Sequence, residues 1–247
     1  MSTGNTEHPL PHNAAEAVAV VREEARFGVA FLRRHGLRMF LFFIGVLLPL
    51  WGFGELADEL REGEAFFFAG PLLNAAHALG RRGFDHFFVA MSALGYQWGV
   101  VPFNVLMVLW LGFRRWMREG LFAGVAVIGS ALLNLGTKQL FARERPSLWE
   151  SIAPESTYSF PSGHAMGSMT LAWVVVLLAW RTRWRMPVLL AALAFAVLVG
   201  LSRVYLGVHY PSDILAGWAA ASIWTVGAYL LVFCGRRPWQ PGRDPVP

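Results

Sequence analysis

"FPSGHAMGSMTLAWVVVLLAW", residues 160–180, opens on a proline-serine-glycine turn and a histidine and then stays apolar to its end. A bilayer core takes about 20 mostly apolar residues per helix, so this run crosses most of one. Working outward, similar runs cover roughly 38–57, 96–113, 120–138, 187–206 and 212–235, with the quoted one set at 163–181. Of the 247 residues 55% are hydrophobic and only 15% charged, and the mean hydropathy is +0.45, too apolar for a soluble domain of this size. The expected fold is all-α: a polytopic membrane helical bundle of about six transmembrane helices. Residues 65–95 are apolar but interrupted by Gly70, Pro71, Gly80 and Gly83. They read as interfacial amphipathic helices covering one end of the bundle, with a seventh span as the alternative.

The net charge of +5 does not point to nucleic acid, because the basic residues sit in short clusters beside apolar runs. Arg22, Arg26, Arg33, Arg34 and Arg38, then Arg114, Arg115 and Arg118, then Arg181, Arg183 and Arg185, then Arg236, Arg237 and Arg243 all fall on one side of a six-span chain. The other side keeps Arg61, Arg81, Arg82, Lys138, Arg143, Arg145 and Arg203, with the acidic stretch Glu55, Asp58, Glu59, Glu62 and Glu64. The positive-inside bias therefore puts both termini in the cytoplasm. The expected organisation is a cytoplasmic arm over 1–37, its first 20 residues a flexible tail, one membrane domain over 38–235, and a cytoplasmic tail over 236–247. One cysteine, Cys234, precludes an internal disulfide and is expected to pack in the last apolar run.

In an antiparallel bundle three distant stretches meet at one end. "KQLFARERP", Lys138–Pro146, places two cations at the end of the third span. "PSGH", Pro161–His164, combines the N-cap Ser162, a glycine that lets a ligand reach the backbone, and free N–H groups at a helix start that favour an anion. "SRVYLGVHYPSD", Ser202–Asp213, sets Asp213 in the first turn after Pro211, close to His209. A carboxylate on one ring nitrogen leaves the other free as a nucleophile. Taken singly, these are snorkelling anchors, a capped helix and a structural hydrogen bond. Together they are ionisable groups at membrane depth, which are costly and usually functional. Lys138, Arg145 and Arg203 would repel a divalent metal, whereas forked arginine donors and a lysine suit a phosphate dianion. Arg143 and Glu144 read as a solvated loop pair, Trp149, Tyr205 and Tyr210 as interfacial aromatics, and His77 and His86 as surface or packing residues.

The three stretches resemble the signature of the type 2 phosphatidic acid phosphatase superfamily: Lys, six residues, Arg-Pro; Pro-Ser-Gly-His; Ser-Arg, five residues, His, three residues, Asp. Every position is filled, and the resemblance covers roughly 118–235. It implies a phosphatase needing neither metal nor cofactor, with His209 as nucleophile, Asp213 orienting it, His164 protonating the leaving group, and Lys138, Arg145, Ser162, Gly163 and Arg203 cradling the phosphate. Ser202 belongs to the signature without an assigned role. The implied substrate is a lipid phosphate in the cytoplasmic membrane, attacked from the extracytoplasmic side: undecaprenyl diphosphate, phosphatidylglycerol phosphate, phosphatidic acid or a lipid A phosphate. A phosphotransferase using another acceptor, and an anion carrier, are the alternatives, and oligomeric state stays open.

Overall fold

The computed structural model describes residues 14–62, 66, 68–80, 83–234 and 238–239, and every regular element among them is helical. The chain divides into two compact units, Met1–Leu41 and Phe42–Pro247. The described part of the first is the helix α1 (Ala14–Phe42). Residues 14–20 are thus helical rather than part of a flexible tail, because Ala14, Ala15, Glu16 and Ala17 are strong helix formers. Residues 1–13 lie outside the described residues, as do Glu64, Arg81, Arg82 and the tail arginines Arg236, Arg237 and Arg243.

The second unit holds a π-helical stretch Phe43–Leu47, α2 (Leu48–Glu62), α3 (Ala69–Gly80), α4 (Asp85–Leu94), α5 (Val100–Phe113), α6 (Met117–Phe141), α7 (Gly163–Ala179), α8 (Arg185–Tyr205) and α9 (Pro211–Val232). Four helical stretches are long and apolar enough to cross a membrane: Val20–Glu62, Met117–Phe141, Arg185–Tyr205 and Pro211–Val232. The apolar helices α5 and α7 are shorter, with 14 and 17 residues. At about 1.5 Å per residue α3 and α4 each span less than about 20 Å, shorter than a hydrocarbon core. Large apolar side chains such as Leu106, Leu132, Leu135, Leu140 and Leu190 face outward, as a bilayer-embedded bundle requires.

α7 is the centre of the bundle and packs on α6, α8 and α9, while α4 packs on α8 and α2 on α9. Small residues bring α7 and α9 together: Ala165, Ala216 and Ala221 are fully buried. Gly217 is required there, since a Cβ would stand 2.8 Å from the carbonyl oxygen of Ser162. Polar bonds pin the bundle too: Trp173 donates to Ser222 at 2.8 Å between α7 and α9, and Trp224 to the Val125 carbonyl at 3.0 Å between α9 and α6. Cys234 lies past the end of α9 and is exposed rather than packed, because the helix stops at Val232.

Candidate active site

Each signature stretch is held where a helix starts or stops. α6 ends because Ala142 turns left-handed at φ 44°, its N–H bonding to the Lys138 carbonyl at 3.0 Å. α7 starts on Ser162, whose Oγ accepts from the Ala165 N–H at 3.4 Å while its own N–H bonds the Asp213 carbonyl at 3.0 Å. α8 closes into Gly207, at φ 70° a position that favours glycine, and α9 opens with Pro211. Asp213 accepts from the Tyr210 N–H at 2.9 Å, which folds it back onto residue 209. Helix termini and connecting loops thus bring all eight predicted site residues to one end of the bundle.

His209 is fully buried, with Nδ1 3.3 Å from Asp213 Oδ2 and Nε2 3.2 Å from Arg145 Nη1. A guanidinium only donates, so Nε2 is the acceptor and the proton sits on Nδ1, facing the carboxylate. Burial pushes the His209 pKa down to about 4, with Asp213 pulling the other way. Asp213 also accepts from Ser159 and from Arg143 Nη1, the latter at 2.5 Å. Arg143 is therefore no solvated partner of Glu144. The left-handed turn at Ala142 lays it over the first turn of α9, where it also donates to Ser212 at 2.9 Å and stacks 4.0 Å from the Tyr210 ring. Glu144 is exposed.

A cavity of about 570 Å³ opens beside this centre, lined by Lys138, Glu155, Thr157, Gly163, His164 and Arg203. Lys138 donates to Thr157 at 3.1 Å and to the Tyr158 carbonyl. Arg203, 2% exposed, donates to Ser92 and leaves its Nε–H without a partner. The N–H groups of Gly163 and His164 are unpaired at the start of α7, and a Cβ on Gly163 would meet Asn134 Oδ1 at 3.0 Å. Ser162 is buried as a cap, and Ser202 only bonds the Val199 carbonyl within α8. A larger apolar groove of about 1090 Å³ lies at the other end, among Trp110, Trp116 and Trp184, but no ionisable group among the described residues lines it.

Sequence reasoning missed Glu155. Its carboxylate bridges Arg145 at 2.7 Å and Arg203, and lies 3.8 Å from His164 Nδ1. Burial opposes its ionisation, but Arg203, His164 and Arg145 outweigh that and hold its pKa below the usual value. Only charge balance could have pointed to it: the segment between α6 and α7 offers Glu144, Glu150 and Glu155 to a pocket whose other charged side chains are Lys138 and Arg203. Tyr205 is likewise buried rather than interfacial, donating to Asp85 at 2.6 Å, and Trp149 stacks on His77 at 4.4 Å. His86 is exposed. Among the described residues no three His, Cys, Asp or Glu side chains group as metal ligands.

The model of the PAP2 superfamily matches residues 119–236. Phosphatidylglycerophosphatase B of Bacillus subtilis (strain 168) is 30% identical over 170 residues, which cover 67% of this chain and 78% of that relative. The chain belongs to the PAP2 superfamily. A second relative, the undecaprenyl-diphosphatase of Sulfolobus acidocaldarius, is 31% identical over 139 residues, 54% of this chain and 64% of the relative. The crystal structure of a transmembrane PAP2 type phosphatidylglycerolphosphate phosphatase from Bacillus subtilis superposes with a TM-score of 0.63 at 25% identity, covering 73% of this chain and 94% of that one. The chain is a multi-pass membrane lipid phosphatase of the PAP2 superfamily.

Proposed function

We propose that this PAP2 phosphatase cleaves the terminal phosphate of a membrane lipid through a phosphohistidine on His209, at the extracytoplasmic face of the cytoplasmic membrane. The observation that carries the mechanism is the pair of contacts on the His209 ring: Asp213 on the Nδ1 side and an obligate donor, Arg145, on Nε2. This leaves the Nε2 lone pair aimed at the arginine-lined seat now taken by Glu155. The substrate phosphate displaces that carboxylate from Arg145 and Arg203, gains the unpaired Arg203 Nε–H and the free N–H groups at the start of α7, and comes within reach of Nε2. Nε2 attacks phosphorus, the P–O bond to the lipid breaks, and His164 protonates the departing oxygen. His164, now neutral, then takes a proton from water. The water oxygen attacks phosphorus, the P–N bond breaks, and inorganic phosphate leaves. Lys138, Arg145 and Arg203 neutralise the charge that builds on the phosphoryl oxygens.

Purified protein incubated with phosphatidic acid, phosphatidylglycerol phosphate, undecaprenyl diphosphate and a lipid A phosphate should release phosphate from at least one, with and without chelator. Rapid quenching into alkali should trap label on the protein. Activity that depends strictly on an added divalent metal, or turnover without any alkali-stable phosphoprotein, would overturn the mechanism. Six spans with cytoplasmic termini account for the side on which this chemistry happens, supported by the arginines at the turns beside Trp116 and Trp184. In a Cys234→Ser background, cysteine at the exposed Ser156 should react with an impermeant thiol reagent in intact cells, and cysteine at the exposed Thr182 only after lysis. The reverse pattern would refute the orientation.

A further inference from the structure

We propose that Asn104, with Ser130 and Thr170, reads the ester-linked glycerol backbone of the substrate and tilts the site toward diacylglycerol phosphates over polyprenyl ones. The inference rests on the lipid phosphatase reading above. A second cavity, of about 190 Å³, lies between α5, α6 and α7. It shares Tyr96, Asn134, Leu135 and Gly163 with the phosphate-side cavity, so the two adjoin, with the second reaching further along α6 and α7 into the bundle. Apolar surroundings would suit any lipid tail, yet this branch is lined by Asn104, Ser130 and Thr170. Asn104 is only 5% exposed, and its Oδ1 has no hydrogen-bond partner. Ser130 and Thr170 bond each other at 2.8 Å, which engages one of their two hydroxyl protons and leaves the other to give.

A side-chain amide with an unpaired buried oxygen, beside a hydroxyl proton still to give, is expensive inside a membrane bundle, so a partner is expected from the substrate. The depth identifies the chemistry. Ser130 lies two helical turns below Lys138, about 12 Å along α6, and Thr170 about 9 Å below His164 along α7. With phosphorus held in the cradle, a diacylglycerol phosphate brings its ester carbonyl oxygens to this stretch. A polyprenyl phosphate brings only hydrocarbon. The carbonyls accept, and the trio can donate: the Asn104 amide presents N–H after a half-turn about its terminal bond, and the hydroxyl pair has its spare proton. A polyprenyl chain would bury the same groups unpaired and so bind the transition state less well.

The probe is the ester carbonyl itself. In detergent micelles, kcat/KM of the wild-type protein should be about tenfold higher for a diacyl phosphatidic acid than for its dialkyl ether analogue of the same chain length, the ratio expected from one net hydrogen bond. Asn104→Leu should bring the two values together, and Thr170→Val, which removes the hydroxyl but keeps the shape, should narrow the gap. A purely structural Asn104 would instead lower both rates and preserve their ratio. Equal kcat/KM for ester and ether in the wild-type protein, or an unchanged ratio in Asn104→Leu, overturns this inference and leaves the phosphatase reading intact. Should Asn104→Leu not fold, the wild-type ester-to-ether ratio decides alone. Failure to release phosphate from any lipid overturns the phosphatase mechanism, and this inference with it.

Discussion

The two histidines of the site are each paired with a carboxylate, but by different means. His209 and Asp213 lie four residues apart at the head of α9, both fully buried, and the carboxylate is fixed by Arg143, Ser159 and the Tyr210 N–H. His164 meets Glu155 across a loop at 3.8 Å, its ring on the cavity wall against Tyr96 with centroids 5.0 Å apart. The first pair is a locked unit suited to a group that must attack along one line. The second is open to the cleft and joined to a carboxylate that must shift when substrate arrives. In the proposed mechanism rigidity falls to the nucleophile and mobility to the proton carrier.

The largest effects should separate the histidines. His209→Ala should form no phosphoprotein with any substrate and lose measurable turnover, while His164→Ala should still become labelled from an aryl phosphate, whose leaving group needs little protonation, and then hydrolyse slowly. Label in the His209 variant and none in the His164 variant would exchange the two roles. Next, Asp213→Asn should cost on the order of 10⁴ in kcat, by analogy with the loss seen when an orienting aspartate is neutralised elsewhere. A loss no larger than that of Glu155→Gln would erase the contrast between locked and mobile pairs.

Glu155→Gln tests the mobile pair by a smaller and divided effect. Vanadate and inorganic phosphate should inhibit about tenfold more tightly, the scale of one charge-assisted contact no longer competed for, while kcat for alkyl phosphates falls. Unchanged inhibition would show that Glu155 does not occupy the anion seat. The smallest effect is in pH. With its pKa lowered to about 4, His209 remains neutral well below its ordinary 6.5, so phosphoprotein formation, corrected for substrate ionisation, should persist at pH 5. The sign for stability follows from the same shift: the unfolded chain takes up the His209 proton first, so stability falls as pH drops from about 6.5 toward 4. An acid limb at pH 6.5 in phosphoprotein formation would show that His209 keeps its ordinary pKa.

What the sequence revealed divides along the same line. The helices could be read because apolar runs, Pro211 and the Ser162 cap are local signals, and the His209–Asp213 pair could be read because its partners share one turn. Glu155 could not, because its place depends on how a long connection between α6 and α7 folds back over Arg145 and Arg203. Arg143 was misjudged for a related reason: its direction is set by the backbone turn at Ala142, which no residue type announces, since alanine rarely adopts a positive φ. Asn104 is one polar residue in an apolar run of the sequence, and only the packing of α6 and α7 places Ser130 and Thr170 in the same cavity wall.

The bridge from Glu155 to Arg145 and Arg203 also bears on how such a protein can be made at all. The bundle assembles in the bilayer before any lipid has entered its cleft, and two guanidinium groups turned inward without a counter-ion would oppose that assembly. A carboxylate carried on the same chain supplies the counter-charge from the start and yields it only to a stronger anion. The cleft thus starts with part of its positive charge already answered, and the remainder is left to draw in the anion that replaces Glu155.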